Sequence, residues 1–208
     1  MCGINVIKLL NNTIEAINYH CAMRGPDLTN IREIHDYTFI HNLLHITGEM
    51  TSQPFYDEEA DIVCLYNGEI YNYTSFGDYA SDGMCLIPLY KTYGKDFIKK
   101  LDGEFAIALF DFNNKKFLIS SDIFSTKPLF YSLEGGNLMI SSYKTCIERN
   151  AMTDIHKVPA NTTLVFDLDT YDIISEDIVF NFNIVQYKNT FDDWCKAFDK
   201  AIQKRTDT

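Results

Sequence analysis

A thiol near the start of the chain, in the stretch "MCGINV", raises the first chemical question. Once an initiator methionine is removed, Cys2 carries both a thiol and a free α-amine. Such an amine has a pKa of about 7.7–8.0, so much of it is available as a base near neutral pH. A thiol with a base on the same residue is a nucleophile suited to attack on a carbonyl carbon, and no histidine is required. Four other stretches hold residues that could serve such an attack. "RGPD" (24–27) is a rigid turn carrying Arg24 and Asp27. "YNGEIYNY" (66–73) sets Asn67-Gly68 just past an apolar run and follows them with Glu69. "SDG" (81–83) puts Asp82 at a helix start, and "LDGEFAIALFD" (101–111) enters the most hydrophobic run of the chain. Singly, each has a plain structural meaning: Asn-Gly after a strand is a turn, and Ser-Asp before a helix is a cap.

The elements that must position these residues are mostly short strands. "GINVIK" (3–8), "YTFIHNLLHIT" (37–47), "DIVCLYNG" (61–68), "EFAIALFDF" (104–112), "KFLISSD" (116–122), "PLFYSL" (128–133), "LMISS" (138–142), "TTLVFDL" (162–168) and "DIISEDIVF" (172–180) read as strands. "NNK" (113–115) and "EGGN" (134–137) read as hairpin turns. A helix is expected over 11–25, capped by Asn12 or Thr13, with Ile14, Ile17 and Cys21 on one face and Gly25-Pro26 as its stop. The spacing over 81–100 is helical, with Pro88 forcing a late start or a kink. Successive strands with few helices between them, several apolar on both faces, predict two packed antiparallel sheets with helices outside. The segment "DDWCKAFDKAIQK" (192–204) is an amphipathic helix aligning Trp194, Phe198, Ala201 and Ile202. It either docks on its own domain or leads to a further one, which divides the chain into a domain over 1–185 and a junction over 186–208.

Composition narrows the partners. A formal net charge of −11 over 208 residues repels nucleic acid and anionic membrane alike. No apolar run approaches a membrane span and the start lacks the pattern of a secretory signal, so a cytoplasmic location is expected. The six cysteines, with no zinc spacing, are expected to be reduced, those other than Cys2 lying in the core, and no metal site is expected. A small secreted protein with disulfides is the rival that the even count leaves open.

Taken in order, the motifs resemble class II glutamine amidotransferases of the N-terminal nucleophile hydrolase fold, and within them the glutaminase domain of asparagine synthetase. That family reads roughly "MCGI…HRGPD…QP…NGEIYN…SDTE…LxGxFAFALxD…RDxxGxKPLYY…ASE". The matching stretches here are "MCGI", "MRGPD", "SQPF", "YNGEIYNY", "SDGM", "LDGEFAIALFD", "SDIFSTKPLFY" and "ISSYK", from residue 1 to about 145. "VPANTTLVFD" (158–167) is similar to a later strand of the family.

The resemblance implies an α+β, four-layer αββα sandwich of two mainly antiparallel sheets. It implies Cys2 as nucleophile toward the side-chain amide of L-glutamine, with the Asn67 side chain and Gly68 N–H as oxyanion donors. Asp82 would bind the substrate's α-ammonium, Glu69 would contribute to the pocket, and residues Leu43, Leu44, His45, Ile46 and Thr47 would line it. Arg24 and Asp27 would support the loop beside the nucleophile. No cofactor is implied in these residues. ATP and magnesium would belong to a synthetase partner, whose phosphate-loop motif is missing here, so the chain reads as a single domain, a fragment or half of a split enzyme. The ammonia acceptor is not visible, and aspartate is the family's choice.

One departure bears on the substrate. The family stretch "HERLSI" carries an Arg for the glutamine α-carboxylate; here it is "HNLLHI" (41–46), with Leu43 at that place. Losing a charged hydrogen bond of about 1.5–3 kcal/mol would weaken binding ten- to a hundredfold or more. His45, Arg32 and Lys127 are candidate replacements; the other outcome is a catalytically weak or silent domain with a binding or assembly role. Met23, Cys85 and Ser125 also depart from the pattern, at places that do not touch the nucleophile.

Overall fold

A computed structural model describes residues 2–9, 14–46, 49–185 and 188–206. Among them, the strands form two six-stranded antiparallel sheets. The first runs, edge to edge, β10 (His156–Lys157), β8 (Phe130–Glu134), β9 (Asn137–Ser141), β1 (Gly3–Lys8), β3 (Tyr37–Leu43) and β2 (Leu28–Ile34). The second runs β12 (Ile173–Ile178), β11 (Thr162–Asp167), β7 (Lys116–Ser121), β6 (Gly103–Asp111), β5 (Ile62–Ile70) and β4 (Phe55–Asp57). Helices α1 (Ile14–Ala22) and α3 (Lys144–Glu148) cover the outer face of the first sheet through Ile17 and Ile147. Helix α2 (Leu86–Tyr93), with 3-10 turns at Asp82–Cys85 and Gly94–Lys100, covers the second. The order of layers is helix, sheet, sheet, helix.

Two-faced burial explains the continuous apolar runs of β5 and β6. Side chains alternate across a strand: Val63, Leu65, Ala106, Ala108 and Phe110 enter the layer between the sheets. Ile62, Cys64, Tyr66, Ile107 and Leu109 pack under α2 instead. The far end of the inter-sheet layer is closed by rings. Phe110 faces Phe117, and Phe117 faces Phe166, on neighbouring strands. Their centroids are 4.9 and 4.7 Å apart with planes within 8° and 6°, and Phe39 meets Phe110 edge-on.

Several expectations shift. β3 ends at Leu43 rather than at 47, so residues 44–46 leave the sheet as extended chain. β2, β4, β10 and α3 are not anticipated by the patterning. Asn12 and Thr13 lie outside the described residues. Pro88 falls in the first turn of α2, where the missing N–H costs nothing, and the helix accordingly starts late. Cys21, Cys64, Cys85 and Cys146 are buried, but Cys195 is exposed on the last helix, α4 (Phe191–Thr206). All six are free thiols. On α4, Trp194 and Phe198 are 54% and 66% exposed, so its apolar face is not docked. Its end does touch the domain: Lys204 pairs with Asp102, and the Arg205 guanidinium lies 4.6 Å over the Tyr71 ring.

Candidate active site

Strand parity places the Cys2 thiol. Ile4 and Val6 of β1 face the inter-sheet layer, while Asn5 bonds Asn18 and Ser141 on the helix side. Running the alternation back one step turns Cys2 toward the layer between the sheets, at its open end. On the facing sheet the same alternation carries Val63 and Leu65 on to Asn67, and Ala108 and Ala106 on to Glu104. These ends enclose a pocket of about 190 Å³. Cys2, Leu43, Leu44, His45 and Ile46 line it from one side, and Asn67, Gly68, Glu69 and Asp82 from the other. Thr47 lies outside the described residues.

Cys2 is half-buried, and its Sγ lies 3.9 Å from the Leu44 carbonyl. Burial pushes the thiol above its ordinary range, so a base is needed to ionise it. The "RGPD" loop fixes the surrounding backbone and stays out of the pocket. Arg24 Nε donates to the Cys2 carbonyl at 2.8 Å, and its guanidinium sits 5.2 Å over the Tyr143 ring. Asp27 Oδ2 accepts the His45 N–H at 2.8 Å, and the Asp27 N–H donates to the Leu43 carbonyl at 3.0 Å. A Cβ on Gly25 would come within 2.0 Å of the Asn42 carbonyl oxygen, so only glycine lets this loop lie against β3.

Asn67 is almost fully buried, and its Nδ2 has no hydrogen-bond partner among the described residues. Buried donors are nearly always satisfied, so an orphan at a pocket wall marks a place for a ligand atom. The glycine at 68 answers to strand pairing: a Cβ there would lie 2.1 Å from the Glu104 carbonyl oxygen on β6. Asp82 is held from several directions. Its Oδ2 accepts from Tyr66 Oη at 2.5 Å and from the Ile70 N–H at 2.8 Å, and its Oδ1 from the Gly83 N–H at 2.7 Å. Burial pushes the Tyr66 phenol far up, so it stays a donor.

The sequence did not single out Glu49, Thr51, Gln53, Tyr66, Ser81 or Glu104 as lining residues. Glu104 was within reach, because the alternation of β6 points it the same way as Ala106. Of the three candidate cations, Lys127 and His45 line the pocket and Arg32 does not. Arg32 pairs instead with Glu58 at 2.9 Å and stacks on Tyr56. Lys127, largely buried, is bonded to Glu104 at 2.8 Å. Its loop is folded on Asp122, which accepts the Phe124 and Thr126 N–H groups at 2.8 and 3.0 Å. Ser125, where the family pattern has glycine, takes a left-handed φ of 52° in that loop.

One layer deeper, His41 lies opposite Ile4 in register and is fully buried, with neither ring nitrogen hydrogen-bonded within the described residues. Burial lowers its pKa to about 4, so it is neutral. The Ser121 hydroxyl, in the same row as Asn67 and Ala106 on the facing sheet, is likewise buried and unpartnered. No cluster of three metal-capable side chains occurs among the described residues. None of their helices is long and apolar enough to cross a membrane.

Fold and pocket together define a class II glutamine amidotransferase domain of the N-terminal nucleophile hydrolase fold. The profile of the glutamine amidotransferase domain family matches residues 1–178, and the chain belongs to that family. It is 31% identical over 162 residues to an asparagine synthetase [glutamine-hydrolyzing] of Oryza sativa subsp. japonica, covering 69% of this chain and 27% of that one. It is 30% identical over 149 residues to the amidase chyE of Penicillium rubens, covering 66% of this chain and 22% of the other. The chain thus spans under a third of each of these relatives. A solved glutamine phosphoribosylpyrophosphate amidotransferase from B. subtilis superposes with a TM-score of 0.57 at 17% identity, over 86% of this chain and 43% of that one. That likeness concerns the fold.

Proposed function

We propose that this domain hydrolyses the side-chain amide of L-glutamine through a thioester on Cys2. The ammonia released would supply an asparagine-synthetase-like, amide-forming partner. With Met1 removed, the Cys2 amine takes the thiol proton, directly or through a water. The thiolate attacks the amide carbon; the tetrahedral oxyanion is met by Asn67 Nδ2 and the Gly68 N–H. The Cys2 ammonium returns that proton to the amide nitrogen, the carbon–nitrogen bond breaks, ammonia departs, and water then cleaves the thioester to glutamate. While Met1 is attached, that amine is locked in a peptide bond and the site is immature.

The observation that carries this reading is the orphaned Asn67 Nδ2 in the same pocket as the Cys2 thiol. An oxyanion-hole donor of this kind typically lowers the barrier by about 2.7–4 kcal/mol. Asp82, held by four donors, suits the substrate's α-ammonium. Intact mass before and after treatment with a glutamine-mimicking electrophile tests the mechanism. One adduct on Cys2 of the Met-free chain is the expected result; an adduct on another cysteine sinks it.

The exposed apolar face of α4, together with exposed Phe124, Phe180 and Phe182, supports a covering partner at this end of the chain. Such a partner would hold the ATP and magnesium, and residues 186–208 would form the junction. A cytoplasmic location fits this role. A second reading, a domain with weak or no glutaminase activity, is favoured by the buried apolar Leu43 on the pocket wall. Ammonia and glutamate release at millimolar glutamine separates the two readings.

A further inference from the structure

Two thiols that the amide chemistry does not use lie side by side on the helix side of β1. Cys21, near the end of α1, and Cys146, on α3, are both free and buried, with sulfurs 3.6 Å apart across 125 residues of chain. Neither lines the pocket. Polar groups surround them: Cys21 Sγ lies 3.4 Å from Asn5 Oδ1 and 3.7 Å from Ser141 Oγ, which itself donates to Asn5 Oδ1 at 2.7 Å. Hydrogen bonding from Cys21 holds the Cys146 thiol down to about 7, while the same bond and burial push Cys21 well up. Cys146 is therefore the sulfur that ionises first, and the thiolate is the form that attacks an oxidant.

Each thiol belongs to a segment that seats Cys2. The Cys21 carbonyl accepts the Arg24 N–H at 3.0 Å, and Arg24 Nε in turn holds the Cys2 carbonyl. A Cβ on Gly3 would lie 2.7 Å from that Cys21 carbonyl oxygen, so the end of α1 rests directly on the residue after the nucleophile. On the other side, the Cys146 N–H donates to the Tyr143 carbonyl at 3.2 Å, and Ser142 Oγ accepts the Ile4 N–H at 3.1 Å. We infer that Cys21 and Cys146 are a redox modification site, closing reversibly to a disulfide that shifts the seat of Cys2 and slows turnover. Hydrogen peroxide is the oxidant that fits, being little larger than water. The Cys146 thiolate attacks one peroxide oxygen, the O–O bond breaks, and a sulfenic acid and a water result. The Cys21 sulfur then attacks the Cys146 sulfur and its hydroxyl leaves as a second water. Two thiols and one peroxide thus give one disulfide and two waters. A disulfide sets its sulfurs about 2.05 Å apart, so the pair closes from 3.6 Å and draws α1 toward α3. A displacement of about 1 Å at a reacting group can cost on the order of a hundredfold in rate. The site stands apart from the thiol chemistry proposed above; its effect on turnover rests on that chemistry.

The matured full chain is titrated with hydrogen peroxide, its remaining thiols are capped with iodoacetamide, and the digest is mapped without reduction. A linked Cys21–Cys146 peptide is the expected product. Glutamine turnover falls at least about tenfold as that peptide accumulates, and dithiothreitol restores it. At the peroxide concentration that closes the pair in the parent, Cys146→Ser keeps its turnover, which separates closure of the pair from oxidation of Cys2. Cys21→Ser gives the same result and serves where Cys146→Ser does not fold. Absence of the linked peptide overturns the inference. So does a linked peptide with turnover unchanged, or an equal loss in the parent and the variants. A chain that turns over no glutamine before treatment overturns the reading beneath, and the linked peptide still decides whether the site exists.

Discussion

The two ends of the inter-sheet layer are built on opposite terms. At one end Phe110, Phe117 and Phe166 stack in a row across three strands, with Phe39 edge-on. At the other end the same rows of alternation carry Cys2, His41, Asn67 and Ser121, several with polar atoms left unpartnered within the described residues. The strands are continuous between the ends, so the contrast lies in side chains alone. Aromatic burial at one end supplies stability that the other end forgoes, and the polar end keeps its hydrogen-bonding groups for a ligand.

That contrast breaks down if the polar end matters to stability or the aromatic end to chemistry. The largest effect is expected for Cys2→Ala, which lowers amide hydrolysis by at least ~10⁴-fold. Its denaturation midpoint stays within error of the parent. Phe117→Ala opens a cavity in the stack and costs about 3–5 kcal/mol of unfolding free energy, measured by denaturant titration. Its kcat per folded molecule is unchanged; a matching loss of kcat would mean that the two ends are coupled. Asn67→Ala lowers kcat by about 10²–10³-fold with little change in stability. A large fall in stability with normal kcat would make Asn67 a packing residue.

The smallest effect sharpens the comparison through pH. Unfolded, the His41 imidazole titrates near about 6.5; folded, burial holds it to about 4. Between those values the unfolded chain binds more protons. Stability from this group is therefore full above about pH 6.5 and falls as pH drops toward 4, by on the order of 3 kcal/mol. His41→Gln flattens the stability curve over that window. An unchanged slope would show that the buried imidazole is not what titrates there.

Legibility in the sequence followed the same division. β5 and β6 were readable because burial on both faces leaves unbroken apolar runs, and Cys2, Asn67, Gly68 and Asp82, which the fold brings to one pocket, stand in short local motifs. β2 was not: "LTNIREI" is an edge strand whose side chains are mostly exposed, so its polar pattern reads as loop. β4, three residues long, and α3, five, are too short for any period to emerge. Gln53, Tyr66 and Glu104 join the site through sheet register and contacts distant in sequence. Tyr66 in particular packs under α2 and reaches the pocket by holding Asp82. The end of β3 at Leu43 was missed because apolar residues continue to Ile46, while the chain is pulled out of the sheet by the Asp27 bond to the His45 N–H.

The position of β1 also sets the timetable of synthesis. The strand beginning beside Cys2 lies between β3 and β9, and the Ile4 N–H is bonded to the Ser142 hydroxyl across 138 residues of chain. Closing so long a loop is slow compared with local structure. β1 can therefore be fully seated only after β9 has been made. Nascent chains halted before Ser141 should leave Cys2 open to a thiol reagent, whereas chains extended well past it should not.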